Sequence, residues 1–158
     1  MILVAAACEV LLDVLLLALL WESGQTPEEA ASLFRLGESI TRRIKTHYHR
    51  RIGGTWQLDQ PGPVRGWFER VADLRNRCLH TGLRPSRDDA IAAMDSGDAL
   101  RLFIIERLKD STNVKKFPLT ANFFLDSKGD TSQYERIMRE WTTWCDEVTR
   151  LRQQRSLN

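Results

Sequence analysis

The N-terminal stretch "MILVAAACEVLLDVLLLALLW" constrains the fold most, because its 21 residues include only two charged side chains, Glu9 and Asp13. A helix of this composition is apolar on nearly every side and must be covered by other parts of the protein. The uninterrupted apolar run, residues 14–21, is too short to cross a bilayer, and no Lys or Arg precedes it. The sequence therefore predicts a buried helix over residues 3–22, covered in part by a second subunit, and no membrane insertion.

The rest of the chain also shows helical patterns and no strand pattern. Thr26 and Pro27 open a predicted second helix that runs to residue 49, and a loop follows at residues 52–63. A third helix is predicted over residues 64–82, and Ser86 begins a fourth that ends near residue 109. Residues 111–130 are predicted to be an irregular connection to a last helix over residues 133–155. The inner stripes are Leu33, Leu36, Ile40 and Ile44 in the second helix, and Ile137, Trp141, Trp144, Val148 and Leu151 in the last.

These elements predict an all-α protein, a bundle of four to five helices in one domain. A chain of 158 residues has no room for a second independent core. Residues 1–110 form the predicted bundle core, residues 111–130 the connection, and residues 131–158 the C-terminal helix.

Cysteine and charge distribution limit the classes of function. Cys8, Cys78 and Cys145 are scattered, which argues against both disulfides and a zinc site and favours a reducing cytoplasm. The net charge is only +2, yet basic residues crowd between positions 35 and 51. Such a run is more often a solvated face than a nucleic-acid contact, but it is a candidate to attract a polyanion.

The segment "RNRCLHTG", residues 75–82, places two arginines, an asparagine and a histidine at the end of the third helix. On a helical wheel Trp67, Val71, Leu74 and Cys78 form an apolar seam, and Asp73, Asn76 and His80 follow the opposite side. Asn76 and His80 are one turn apart and can touch the same ligand.

These side chains suit phosphodiester cleavage without a metal. Arginine offers several N–H donors to phosphate oxygens, and histidine titrates near neutrality, so it can take a proton from a ribose 2′-hydroxyl or give one to the leaving oxygen. One histidine does not easily serve as both acid and base. A second copy of the helix across a dimer axis would supply the other.

"RNRCLH" resembles the Arg-polar-x-x-x-His signature of the HEPN superfamily, and the following turn and long helix, "HTGLRPS" and "RDDAIAAMDSGDALRLFIIERL", are similar to the sequel in that family. The resemblance extends over residues 64–109. It implies a helical-bundle homodimer in which two motifs face one cleft. It also implies a metal-independent endoribonuclease, of the toxin or antiviral-defence type, that leaves 2′,3′-cyclic phosphate ends. The family also includes members that keep the fold without cleaving RNA.

The resemblance assigns catalytic roles to Arg75 and His80, with Asn76 in support. We expect no metal or other cofactor, RNA as the substrate, and an antitoxin or a regulatory domain as a further partner. Three readings stay open: the endoribonuclease, a non-catalytic module that binds RNA or protein, and a plain helical interaction domain. The candidate RNA contacts outside the catalytic group are Arg77, Arg84, Arg42, Arg43 and Lys45.

Overall fold

The chain folds into an all-helical bundle, seen here in a computed structural model that describes residues 2–34, 39–125 and 131–156. The helices are α1 (Ile2–Glu22), α2 (Pro27–Ser32), α3 (residues 40–52), α4 (residues 63–81), α5 (Arg87–Lys109), α6 (Ser111–Lys116), α7 (Pro118–Leu125) and α8 (Thr131–Ser156). No strand occurs in these ranges, so the predicted all-α class is confirmed.

One side of helix α1 lies in the core of the bundle, as its composition predicts, whereas Ile2, Leu3 and Val10 are 58%, 83% and 61% exposed. Leu12, Leu15, Leu16 and Leu19 are fully buried against the other helices. By length and hydropathy α1 is the one helix in the described ranges that could cross a membrane, although 39% of its most apolar window is buried inside the bundle. The expectation that it does not insert into a membrane stays a prediction.

A partly buried ion pair joins α1 to α3. Arg43 Nη2 donates to Asp13 Oδ1 at 2.6 Å, and the two side chains are 10% and 28% exposed. The Tyr48 hydroxyl donates to the Leu12 carbonyl nearby. Burial in the α1 interface, with the negative charge of Asp13 close by, raises the pKa of Tyr48 well above its usual value. The acid inside the apolar N-terminal helix is therefore paired, as buried charges must be.

The predicted second helix is in fact two helices. Thr26 caps α2 in a capping box with Glu29, but α2 ends at Ser32, and Leu33 and Phe34 form a turn. Ser39 then caps α3, because its hydroxyl accepts a hydrogen bond from the Arg42 amide. Apolar residues at helical spacing therefore predicted one continuous helix, whereas the cap at Ser39 marks the start of a separate one. Leu36, part of the predicted stripe, lies outside the described residues.

Both α3 and α4 contain a π-helical turn, at Ile44–Tyr48 and Phe68–Ala72 respectively. Helix α4 begins at Pro63 and ends at Thr81, where Gly82 adopts a left-handed conformation with φ 70°. Helix α5 packs along the first part of α4 and along α1. The predicted boundaries of the third and fourth helices are confirmed to within a residue or two.

The prediction that residues 111–130 are irregular was wrong for the described part, residues 111–125. Asp110 caps α6 by accepting from the Thr112 amide, and Pro118 opens α7 at its first position. The Glu22 carboxylate accepts from the Leu119 and Thr120 amides at 2.7 and 2.8 Å, so α1 supplies the cap of α7. This tertiary cap has no local sequence signal. Residues 126–130 lie outside the described residues.

Helix α8 packs against α2 and α1 with the face that the sequence predicts. Val148 is 1% exposed, and Trp144 and Leu151 pack against the same core. Trp144 Nε1 donates to the Gln25 carbonyl at 3.1 Å. Trp141 lies edge-on to Trp21, with ring centroids 5.5 Å apart.

We predict that Asp13→Ala destabilises the protein by about 3 kcal/mol, because it leaves the buried Arg43 guanidinium without its carboxylate. Asp98→Ala is the matched control, since Asp98 pairs with Arg101 on the surface and its loss should cost less than about 0.5 kcal/mol. Urea denaturation measures both free energies of unfolding. Equal, small changes in the two variants would contradict a structural role for the Asp13–Arg43 pair.

Candidate functional site

The motif lies on the last part of α4, the segment Asp73–Thr81, which extends beyond the packed region of the bundle. Leu74 is its one buried residue, and the segment packs extensively against no other helix in the described ranges. The predicted apolar seam is correct for Trp67, Val71 and Leu74 but not for Cys78, which is only half-buried. The seam ends early because no helix in the described part of the chain continues to cover it.

Arg75 and Asn76 are held together at the motif. Arg75 Nη1 donates to Asn76 Oδ1 at 3.1 Å, with Arg75 half-buried and Asn76 exposed. The bond occupies the amide oxygen of Asn76 and leaves its NH2 group as a donor to a ligand. The remaining guanidinium N–H groups of Arg75 stay available to a phosphate oxygen.

His80 is exposed on the next turn and makes no hydrogen bond to any described residue. Its position four residues after Asn76 puts the imidazole on the same face as the Asn76 amide. The cluster therefore combines N–H donors with an imidazole that is open to solvent. In one chain it contains a single imidazole, that of His80, which is a side chain suited to proton transfer.

Arg77 and Arg84 flank this cluster. Arg77 Nε lies 3.0 Å from Asp73 Oδ2 in an exposed pair at i,i+4 spacing. Arg84 is exposed in the turn between α4 and α5. Both positions allow contact with a bound polyanion, although a ligand of Arg77 must compete with Asp73.

The turn after the motif is fixed by a capping box at the start of α5. The Ser86 hydroxyl accepts from the Asp89 amide at 3.1 Å, and the Asp89 carboxylate accepts from the Ser86 amide at 2.8 Å. Hydrogen bonds from the backbone and hydroxyl of Ser86, and more weakly the charge of Arg77, hold the pKa of Asp89 below its usual value.

The three other predicted RNA contacts are all on α3, but they differ in exposure to solvent. Arg42 and Lys45 are exposed. Arg43 is 8% exposed and bound to Asp13, which argues against the predicted contact of Arg43 with RNA. The useful signal was Asp13, a carboxylate in an apolar helix that required a basic partner.

Apolar side chains near the motif were missed by sequence reasoning. Leu79, Leu83, Ile91 and Met94 are 53%, 40%, 45% and 59% exposed, and they occupy the end of α4, the turn and the start of α5. We call these four residues the apolar collar. Their exposure depends on which helices meet, since no helix in the described ranges packs extensively against the end of α4.

The described residues contain no cluster of His, Cys, Asp and Glu able to hold a metal ion. His47 and His49, the only other histidines in the sequence, bind locally instead. Arg51 Nη1 donates to the His47 carbonyl at 3.0 Å, and His49 Nδ1 lies 2.8 Å from the Gly54 carbonyl.

Comparison with family models, curated proteins and solved structures finds no match for this chain.

We predict that Ser86→Ala lowers the free energy of unfolding by about 1 kcal/mol through loss of the cap. It should also raise the pKa of Asp89 towards the usual value. Because the folded-state pKa of Asp89 is depressed, its stabilising contribution is present above the unfolded-state pKa and is lost as pH falls through the folded-state value. Carboxyl NMR titration and urea denaturation from neutral to acidic pH measure the two effects. A Ser86→Ala variant with an unchanged Asp89 titration would contradict the role of this cap.

Proposed function

We propose that the protein is an HEPN-type endoribonuclease that cleaves RNA without a metal, through attack of a ribose 2′-hydroxyl on the adjacent phosphate. The observation that carries the proposal is the Arg75–Asn76 pair beside an exposed His80, on a helix end that the bundle does not need for packing. Polar side chains kept on such a segment are available for a ligand. The resemblance of "RNRCLH" to the Arg-polar-x-x-x-His signature supports RNA as that ligand.

In the proposed reaction, Arg75 and the Asn76 amide bind the non-bridging phosphate oxygens and stabilise the charge that develops there. His80 removes the proton from the 2′-hydroxyl as its oxygen attacks phosphorus. The bond from phosphorus to the 5′-oxygen breaks, and that oxygen takes up a proton. The products are a 2′,3′-cyclic phosphate and a 5′-hydroxyl end.

The second proton transfer needs another acid, which we propose comes from His80 of a second copy of the chain. The apolar collar supports dimerisation at this end of the molecule, because four large apolar side chains there are 40–59% exposed. Contiguous exposed apolar residues mark interaction surfaces more often than isolated ones do. A dimer formed through the collar would bring two motifs into one cleft.

The alternative is a module of the same kind that binds RNA or a protein partner without cleaving it. A specific observation favours it: a single chain places one imidazole, that of His80, on the motif face, whereas the cleavage reaction needs both a base and an acid. The toxin or antiviral role, a cytoplasmic location and an antitoxin or regulatory partner belong to the proposal as well.

We predict that His80→Ala and Arg75→Ala each reduce RNA cleavage by at least about a hundredfold and leave thermal stability unchanged, because both side chains act on the reacting groups. Arg65→Ala is the matched control: Arg65 is an arginine of the same helix, partly buried like Arg75, and is paired with Glu69. Cleavage of labelled structured RNA in EDTA, with analysis of the product ends, measures the effect. Equal activity in all three variants would contradict the assignment. Absence of cleavage by the folded, dimeric wild type would favour the binding module.

We predict that Leu79→Asp, alone or with Met94→Asp, shifts the protein from dimer to monomer and abolishes cleavage, because a charge in a buried apolar contact lacks a partner. Leu102→Asp is the control, since Leu102 is 51% exposed on α5 but lies outside the collar. Analytical ultracentrifugation measures the mass in solution. A wild-type monomer that cleaves RNA, or a dimer unaffected by the collar substitutions, would rule out the shared cleft.

A further inference from the structure

Helix α3 presents a basic face that the cleavage motif does not use. Residues 40–52 contain five Lys or Arg residues and no Asp or Glu, in a protein whose net charge is only +2. Arg43 is bound to Asp13 in the core, and Arg51 is half-buried and donates to the His47 carbonyl. Lys45, His49 and Arg50 are exposed, and so is Arg42 at the start of the helix. We call these four residues the α3 basic face.

The α3 basic face is held rigidly. On its inner side α3 buries Ile44, Tyr48 and Ile52, each at most 1% exposed. His49 Nδ1 is hydrogen-bonded to the Gly54 carbonyl at 2.8 Å. A carbonyl only accepts, so Nδ1 carries a proton, and the other ring nitrogen, Nε2, can donate to an outside phosphate only in the protonated ring. Because the helix backbone is held by this packing, binding at its outer side chains costs less conformational freedom than binding on a flexible segment would.

The α3 basic face and the motif are at different ends of α5. The end of α3 is anchored through Trp56, which stacks on Tyr48 at 4.5 Å between ring centroids and lies 5.1 Å from the Phe103 ring. The motif segment ends at Thr81, and a turn of five residues leads from it to Arg87, the first residue of α5. Sixteen residues of helix separate Arg87 from Phe103, about 24 Å along the axis. A ligand that touched both would have to be long.

The composition of the α3 basic face argues for a polyanionic strand and against a lipid surface. A helix that lies on a membrane inserts large apolar side chains beside its basic residues. Here the remaining outward residue is Thr46, and the apolar side chains of α3 point into the core. A row of positive groups along one helix instead suits the evenly spaced charges of a phosphodiester backbone.

We propose that the α3 basic face is a second RNA-binding surface, which contacts the phosphodiester backbone remote from the cleavage motif. The choice of RNA rests on the proposed function, whereas the surface itself rests on the charges and burial of α3. Contacts at the motif and on α3 would hold RNA over a footprint longer than the cleavage motif alone could provide. They would contribute affinity and carry no base preference.

The test measures binding of a fluorescein-labelled single-stranded RNA by anisotropy over a series of KCl concentrations. Every protein carries His80→Ala, so cleavage plays no part. The Lys45→Glu/Arg50→Glu variant is compared with Arg136→Glu/Arg139→Glu, which makes the same change in net charge at exposed positions of α8. Lys45→Gln/Arg50→Gln removes the two contacts without adding negative charge. Circular dichroism melting checks that all variants are folded.

We expect Lys45→Glu/Arg50→Glu to weaken RNA binding by roughly tenfold or more at low salt and the α8 variant to weaken it far less. The plot of log affinity against log salt has a negative slope. In both α3 variants this slope should become shallower by about 1.4, at about 0.7 for each lost phosphate contact. Equal losses in the α3 and α8 variants, or an unchanged slope, would overturn the proposal. Binding of wild type to phosphatidylserine-containing vesicles, with no α3-dependent RNA binding, would overturn it in favour of a membrane surface.

These results separate the two proposals. Loss of RNA binding in the α3 variants, with a wild type that does not cleave RNA, would support the α3 basic face and count against the endoribonuclease. Cleavage by wild type with unchanged RNA binding in the α3 variants would support the endoribonuclease and count against the α3 basic face.

Discussion

The fold depends on covering α1, an apolar helix that also contains an acid. Burial of Leu12, Leu15, Leu16, Leu19 and Leu20 stabilises the fold, at about 25 cal/mol for each square ångström of apolar surface removed from water. Asp13 adds a constraint, because a carboxylate at this interface needs a cation, and Arg43 supplies it at 2.6 Å. That pair and the Tyr48 bond to the Leu12 carbonyl set the register of α3 on α1. The outward face of α3, with its exposed basic side chains, follows from the same register.

The division of α4 into two parts separates stability from the proposed chemistry. Its first part packs along α5, whereas the segment Asp73–Thr81 buries only Leu74. Core packing therefore places little constraint on the side chains of that segment. Substitutions there should lower the free energy of unfolding only slightly. Exposed apolar residues beside polar ones, as in the apolar collar, are better explained by a partner surface than by the packing of one chain. In our proposal a second copy of the chain therefore completes the site.

Much of the fold followed from local signals in the sequence. The caps at Thr26 and Ser86, the terminating Gly82 and the apolar periodicity of α8 all predicted elements that the structure contains. The break before Ser39 and helices α6 and α7 were missed, the last because its cap comes from Glu22 almost a hundred residues away. At the site, the exposure of Asn76 and His80 matched the helical wheel, since it depends on periodicity alone. The sequence did not predict that Arg43 is buried or that the side chains of the apolar collar are exposed, because both depend on which helices pack together.

The central claim is that Arg75, Asn76 and His80 bind an RNA phosphate. NMR titration of the wild-type protein with a 2′-O-methyl oligonucleotide tests it most directly, since that ligand offers phosphates but no nucleophile. The account predicts that the His80 imidazole and the Asn76 side-chain amide signals shift in a saturable way. The claim would be contradicted if the oligonucleotide bound but shifted only signals from α3 or other helices and left the His80 and Asn76 signals unchanged.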